Sequence, residues 1–343
     1  MSKIDDGAEH LSSMNRRTLL KETAALAIAW AAGPGRAASR PPALGIQLYT
    51  LRERLAQDFK GTLAALRTIG YRQAETAGLL NQEPASFRAA LDAAGLSAPS
   101  GHILPKAAQT LMFKMASGQL SPDQAWAQID ALLDLDRLEA TLADMFQQSQ
   151  AMGYQYLVLA SMDPKLLESM AGIEHVCAAF RRAGELCHQH GLKFAWHPHL
   201  KDWGMVDGKR AAEHILDATD PNRVFVELDF FWASMVNVDV PQFLRRYTGR
   251  VHLGHIKDVA KGVVIPPQGF KDFSEVKDDY FEDVGYGRLD YRAWIPLARQ
   301  TGMRYFFVER DYSPNPLESA GRSYESLRKI IAGTTSSAAS KVS

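Results

Sequence analysis

The chain has 343 residues, 46% of them hydrophobic and 23% charged, which gives enough apolar content for a sizeable core and excludes a disordered or fibrous chain. Thirty-nine basic residues balance thirty-nine acidic ones, so no global positive field exists to supply non-specific nucleic-acid affinity. The two cysteines, Cys177 and Cys187, fall in one predicted helix, about 15 Å apart along its axis, and provide no disulfide framework. The length exceeds that of a common domain, but α/β barrels fill 250 residues or more as one unit.

The first 37 residues read as an export address. Asn15-Arg16-Arg17-Thr18-Leu19-Leu20-Lys21 precedes an apolar run from Ala24 to Ala32 and the small residues around Ala37. That run is too short to span a bilayer and suits cleavage near Ala37. The paired arginines resemble the twin-arginine export signal, which implies a bacterial protein handed folded to the twin-arginine translocation machinery. The expectation is a periplasmic protein with no stable membrane insertion after cleavage. A basic amphipathic helix is the alternative reading of this segment.

From Ala43 a short β-rich run followed by a helical stretch repeats eight times. Strands are predicted at 44–49, 71–76, 96–103, 154–160, 192–197, 224–229, 250–255 and 305–311. Helices are predicted at 59–69, 84–94, 138–152, 173–190, 209–218, 240–247, 291–301 and 316–331. The third strand leads into extra helical sequence with Ser121-Pro122-Asp123, an N-cap followed by proline at the first helical position. Eight strand-crossover-strand units predict a single (β/α)8 TIM barrel at 41–333, with a helical insertion after strand three and a disordered tail at 334–343. A doubly wound open sheet is the alternative, but the first strand runs into Tyr49-Thr50-Leu51-Arg52-Glu53 with no glycine fingerprint.

In such a barrel the chemistry sits where the strands end. Strand two ends with Glu75, strand three with His102, strand five with His197-Pro198-His199 and strand six with Asp229. Strand seven ends with His255-Ile256-Lys257-Asp258 and strand eight with Glu309-Arg310-Asp311. Strand parity puts His255 and Lys257 on one face and sends the deeper His252 toward the helix layer. Glu227 shares the face of Asp229 one layer lower, where a carboxylate is costly unless paired or coordinated, so Asp229 is the better ligand. Asp229, His255 and Glu309 end adjacent strands, and this thiolate-free set of oxygen and nitrogen donors suits one divalent metal, Mn²⁺, Mg²⁺, Co²⁺ or Zn²⁺. Taken singly, each of these residues is equally a helix cap, an ion-pair member or a rim histidine.

Five stretches resemble the sugar phosphate isomerase/epimerase family with the xylose isomerase-like barrel: 45–50, 227–232, 255–258, 284–290 and 308–311. The resemblance implies a divalent-metal site in which Asp229, His255 and Glu309 stand for the family's Asp, His and second Glu. At the family's first Glu this chain presents His197 instead. The implied function is a sugar isomerase or epimerase acting on a keto sugar or sugar derivative through a metal-stabilised enediolate. Loss of the first Glu opens lyase, dehydratase or keto-glycoside hydrolase chemistry. Glu309 is the candidate base; His197 or His199 could return a proton or assist a leaving group, and Lys257 could hold an oxyanion. Glu75, His102, His199 and Trp232 are candidate substrate contacts, with Trp232 and Phe231 read either as a sugar platform or as rim packing. The segment 260–283 reads as a lid or as a plain surface loop.

The partners expected are a small sugar and the translocation machinery, without nucleic acid; self-association into a homo-oligomer stays open. A phosphodiesterase acting on damaged DNA and a non-catalytic carbohydrate binder are the rival readings. Replacing both Arg16 and Arg17 with lysine is expected to abolish export, as checked by cell fractionation; undiminished periplasmic product refutes the address.

Overall fold

The computed structural model describes residues 43–339, with side chains to 333. The expected export signal and residues 340–343 lie outside the described residues. Eight strands form the barrel: β1 (Leu44–Gln47), β2 (Gln73–Thr76), β3 (Ser97–His102), β4 (Tyr156–Leu159), β5 (Lys193–Trp196), β6 (Val224–Asp229), β7 (Val251–Ile256) and β8 (Tyr305–Val308). Each pairs in parallel with its sequence neighbours, and β8 pairs with β1, so the sheet closes. Closure decides for the barrel and against the open sheet.

Local chemistry sets the element ends. The helices Pro84–Ala94 and Leu138–Met152 stop at Gly95 and Gly153, whose left-handed backbone a side chain would strain. Between β3 and the second of these lie two further helices, Lys106–Ala116 and Pro122–Asp130. Ser121 opens the latter with a reciprocal capping box and Pro122 at its first position. The pair buries its own apolar cluster around Ala108, Met112, Ala125 and Ile129. The last helix runs from Pro316 to Ala339, past the point where coil is expected from the sequence. Among the described residues no helix is long and apolar enough to cross a membrane.

Tyr156, Val158, Ala195, Phe225, Leu253 and Phe307 form a buried cluster of inward-facing strand residues. Glu227 and Asp229 follow Phe225 at alternate positions on β6, and His255 follows Leu253 on β7. Parity therefore aims these side chains inward above that apolar layer.

His252 departs from the expectation. The pairing of β6 with β7 steps from Val226 opposite Val251 to Glu227 opposite Leu253. One residue of β7 is thus extra at that point, and simple parity fails across it. Instead of facing the helix layer, His252 stacks on Phe225 at 4.1 Å and bonds Tyr156 Oη through Nδ1 at 3.1 Å.

Beyond β7, Asp258 and Val259 pair antiparallel with Phe281 and Glu282. The buried Asp258 carboxylate accepts the backbone N–H groups of Val259 and Gly285 at 2.8 Å, Leu289 at 3.1 Å and Gly287 at 3.2 Å. The segment between is tied down by Asn237 Nδ2 donating to the Pro266 carbonyl at 2.7 Å and by Lys201 paired with Asp272 at 2.7 Å. Asp258→Ala strands these donors and is expected to destabilise the fold by about 2–4 kcal/mol, measurable by urea unfolding; a loss under about 0.5 kcal/mol contradicts the clasp.

Candidate metal and substrate site

The strand ends build a site in two layers. In the upper one, Asp229 ends β6 and caps the helix Phe230–Met235, its Oδ1 accepting from the N–H of Phe231 at 2.8 Å and of Trp232 at 3.0 Å. Its Oδ2 is left pointing elsewhere. His255 lies opposite Asp229 in the β6–β7 register, and Glu309 follows β8. His255 Nδ1 is 2.7 Å from Glu309 Oε2 and 3.9 Å from Asp229 Oδ2, and His197 Nε2 is 3.7 Å from that same Oδ2. Lys257 Nζ closes the group, 3.0 Å from Asp229, 2.8 Å from Glu309 and 2.7 Å from Asp311.

The lower layer holds Glu75, His102 and Glu227. Glu75 is fully buried and accepts from Gln47 Nε2 at 3.0 Å, from Ser100 Oγ, and from His255 Nε2 at 2.6 Å. Glu227 Oε2 faces three imidazoles: His197 Nδ1 at 3.2 Å, His255 Nε2 at 3.3 Å and His102 Nε2 at 3.4 Å. Each ligand-type imidazole thus has a carboxylate beneath it: Glu75 under His255 and Glu227 under His197. The 2.6 Å bond to Glu75 fixes the His255 ring and leaves its Nδ1 free for a cation, whereas Glu227 stands 3.2 Å from His197 Nδ1 without a hydrogen bond.

The protonation energetics are dominated by burial and by these neighbours. Burial raises Glu227 to about 7, helped by the negative charge of Glu75. Burial works against a charged His102, but Glu227 and Glu75 outweigh it and hold the imidazole up at about 9. His255 is raised for the same reason, with Glu227 and Glu309 prevailing over burial. Burial, then the positive charge near His255, lowers His197, and burial with Lys257 lowers His199 to about 3. Glu309 is held below the usual carboxylate range because Lys257 and His255 overcome its burial. Burial takes Asp311 up to about 6 against the pull of Lys257.

The residues fit a divalent cation. Asp229 Oδ2, His255 Nδ1 and Glu309 Oε2 are buried and make no hydrogen bond of good geometry; the Lys257 ammonium beside the two oxygens offsets part of that cost, and a divalent cation would offset more. Two groups of side chains have donor atoms close enough to share an ion: His197, Asp229 and His255 above, and Glu75, His102, Glu227 and His255 below. Imidazole and carboxylate without thiolate suit Mn²⁺, Mg²⁺, Co²⁺ or Zn²⁺.

All four ligand candidates read from the sequence therefore meet. Glu75 and His102, read there as substrate contacts, lie in the lower layer; Glu75 faces inward one residue before the end of β2, with both oxygens engaged. His199 is half-buried, its ring 4.5 Å from that of His197 and 6.0 Å from that of Trp232. Trp232 lies beside Lys257 Nζ, 5.7 Å from the ring centroid, and its buried Nε1 has no partner. Phe273, on the segment 260–283, completes the wall 5.2 Å from Trp232. Sequence reasoning left out Gln47, Ser100 and Phe273, named Asp311 at a strand end without giving it a role, and set Glu227 aside for its depth. Shared parity with Glu309 and Asp229 is the signal that marks Asp311 and Glu227.

A family model described as the xylose isomerase-like TIM barrel matches residues 63–330. The chain belongs to the xylose isomerase-like TIM barrel family. Its curated relatives include an inosose dehydratase of Mesomycoplasma hyopneumoniae, 26% identical over 165 residues covering 46% of this chain and 54% of the relative. The match thus spans about half the length of that relative. The inosose dehydratase of Salmonella typhimurium is 24% identical over 284 residues, covering 80% and 89%. A sugar phosphate isomerase/epimerase of Parabacteroides distasonis shares the fold at a TM-score of 0.65 and 20% identity, over 86% of this chain and 97% of that one. Two further barrels, with TM-scores of 0.58 and 0.57, carry metals: the IolI protein with zinc, at 13% identity over 86% of this chain and 98% of that one, and a Mycobacterium smegmatis protein with magnesium, at 14% over 87% and 99%.

Added Zn²⁺ or Mn²⁺ is expected to raise Tm, since an ion bound only by the native state at 100 times its Kd stabilises by about 2.7 kcal/mol. Differential scanning calorimetry checks this, and an equal rise in Asp229→Asn argues against the upper layer as the seat.

Proposed function

We propose that the protein is a divalent-metal-dependent sugar isomerase or epimerase, acting on a keto sugar or related derivative by moving a proton α to its carbonyl. The observation that carries this is the convergence of Asp229 Oδ2, His255 Nδ1 and Glu309 Oε2, buried and without hydrogen bonds, beside the Lys257 ammonium. His197, Asp229, His255 and Glu309 would hold the ion, and the zinc and magnesium in barrels of this fold support that reading. When bound, a divalent cation supplies Lewis-acid polarisation of a substrate carbonyl and orients the neighbouring hydroxyl.

The chain's own groups supply the rest. Glu309 removes the α-proton; its low proton affinity means that it works mainly through placement. Lys257 stays charged in its buried setting, with Asp229, Asp311 and Glu309 outweighing desolvation, and donates to the oxygen on which negative charge develops. Glu309, protonated by that step, returns the proton to the neighbouring carbon, and the neutral, half-exposed His199 accepts a hydrogen bond from a sugar hydroxyl. The free Trp232 Nε1–H offers a hydrogen bond to a sugar hydroxyl, and Phe273 helps to exclude water from that wall.

A dehydratase is the second reading. Strand five presents His197 rather than a glutamate, leaving Glu309 beside the Lys257 ammonium, one base and one acid, which suits removal of a proton and departure of a hydroxyl as water. The curated relatives named inosose dehydratase support it. We further propose periplasmic action after twin-arginine export.

Incubation with keto sugars and inososes in deuterated water, followed by NMR, tests both readings. Solvent deuterium at the α-carbon without loss of water marks isomerisation or epimerisation, whereas a product lighter by one water marks dehydration. Glu309→Gln should keep its metal and lose at least about 100-fold in kcat; normal turnover removes Glu309 from the mechanism.

A further inference from the structure

We propose that Asp311 selects the sugar: its carboxylate receives a substrate hydroxyl away from the reacting carbons and turns away phosphorylated sugars. This deepens the function proposed above and rests on it.

The unequal exposure of the carboxylates is the starting observation. The side chains of Glu75, Glu227 and Asp229 are fully buried and that of Glu309 is 6% exposed, whereas that of Asp311 is 24% exposed. Asp311 is therefore the acidic group of the site that a ligand entering the mouth meets first. Its Oδ1 lies 2.7 Å from Lys257 Nζ, which leaves Oδ2 to accept from a ligand. An ionised carboxylate is an acceptor only, and its bond to a hydroxyl is stronger than one between neutral groups.

The backbone holds this carboxylate in place. Arg52 Nη1 donates to the Asp311 carbonyl at 3.0 Å and to the Tyr49 carbonyl at 3.1 Å. The N–H of Arg310 donates to Thr50 Oγ1 at 3.1 Å. The chain leaving β8 is thus tied to the turn that follows β1, and a group ordered in advance loses little freedom when a ligand binds. Asp311 also holds Lys257, so one side chain both reads a remote hydroxyl and orients the ammonium that meets the developing negative charge.

Charge decides the class of sugar. Recognition of a phosphate ordinarily uses an arginine fork, and the two arginines nearest Asp311 are engaged elsewhere. Arg52 gives Nη1 to two carbonyls, lies over the Tyr49 ring at 4.2 Å and faces Glu53 through Nη2 at 3.8 Å. Arg310 donates Nη1 to Asp283 at 2.6 Å, Nη2 to the Phe281 carbonyl at 2.8 Å and Nε to the Tyr312 carbonyl at 3.0 Å. A phosphate beside Asp311 would meet a like charge whose own cation, Lys257, is already shared among three carboxylates. A hydroxyl there gains a bond instead. The buried Trp232 Nε1, without a partner and near Lys257, offers a neutral donor to the same ligand. An acceptor carboxylate, a neutral donor and an aromatic face suit an uncharged polyol.

The test is isothermal titration calorimetry of the full-length protein loaded with Mn²⁺. The probes are D-fructose, D-xylulose and scyllo-inosose, with D-fructose 6-phosphate and D-xylulose 5-phosphate as the charged counterparts. In the wild type, a free sugar that binds is expected to bind at least about tenfold more tightly than its phosphate ester. In Asp311→Asn the free sugar should lose about tenfold or more in affinity while the ester gains, a reversal that general loosening of the site would not produce. Equal losses for sugar and ester, or unchanged affinities, overturn the role of Asp311. Should the variant fail to fold, the wild type decides alone: an ester bound as tightly as its free sugar, or more tightly, refutes the selection. Solvent deuterium exchange run alongside separates this inference from the reading beneath it. A wild type that exchanges while Asp311→Asn binds as it does sinks the selection only; a wild type that neither binds nor exchanges any probe sinks the proposed function with it.

Discussion

The structure turns on concentrated negative charge at the C-terminal end of a closed parallel barrel. Glu75, Glu227, Asp229, Glu309 and Asp311 are gathered around three imidazoles and Lys257. Carboxylates buried together repel one another and lose hydration, so they persist only with compensating cations or bound protons. Lys257 meets part of this demand by touching three carboxylates, and protonation of His102 and His255 offsets more when no metal ion is bound. The apolar layer of Tyr156, Phe225, Leu253 and Phe307 beneath supplies the rigid support that makes such an arrangement tolerable.

His255 joins the two layers. Its Nδ1 meets Glu309 and its Nε2 meets Glu75, so one ring transmits the position of the lower carboxylate to the upper group. The register step between β6 and β7 contributes to this. By adding a residue at His252, it brings Leu253 opposite Glu227 and His255 opposite Asp229. A barrel without that step would aim a different face of β7 at the site.

Loops complete what the strands begin. Asp258 gathers four backbone donors and so fixes the segment just beyond the Lys257 ammonium. The Lys201–Asp272 pair brings Phe273 against Trp232 and His199, joining the segment 260–283 to the wall of the site. That wall presents an apolar face with one unused donor, Trp232 Nε1, a combination suited to the mixed surface of a sugar.

Several features were legible from the chain alone because they depend on local periodicity. Eight alternations of strand and helix, helix stops at Gly95 and Gly153, and the Ser121-Pro122 cap follow from short-range backbone preferences, and the structure has them at those places. The set Asp229, His255 and Glu309 was readable because strand ends converge in any closed parallel barrel. Depth and register were not readable. Glu227 was set aside for its depth, and a single strand cannot show that the imidazoles of His102, His197 and His255, carried by three other strands, face it. His252 was misplaced because a register step lies between strands and leaves no mark on either one. Asp311 and Phe273 acquire meaning only through Lys257 and Trp232, partners distant in sequence, and such pairings are fixed by tertiary packing.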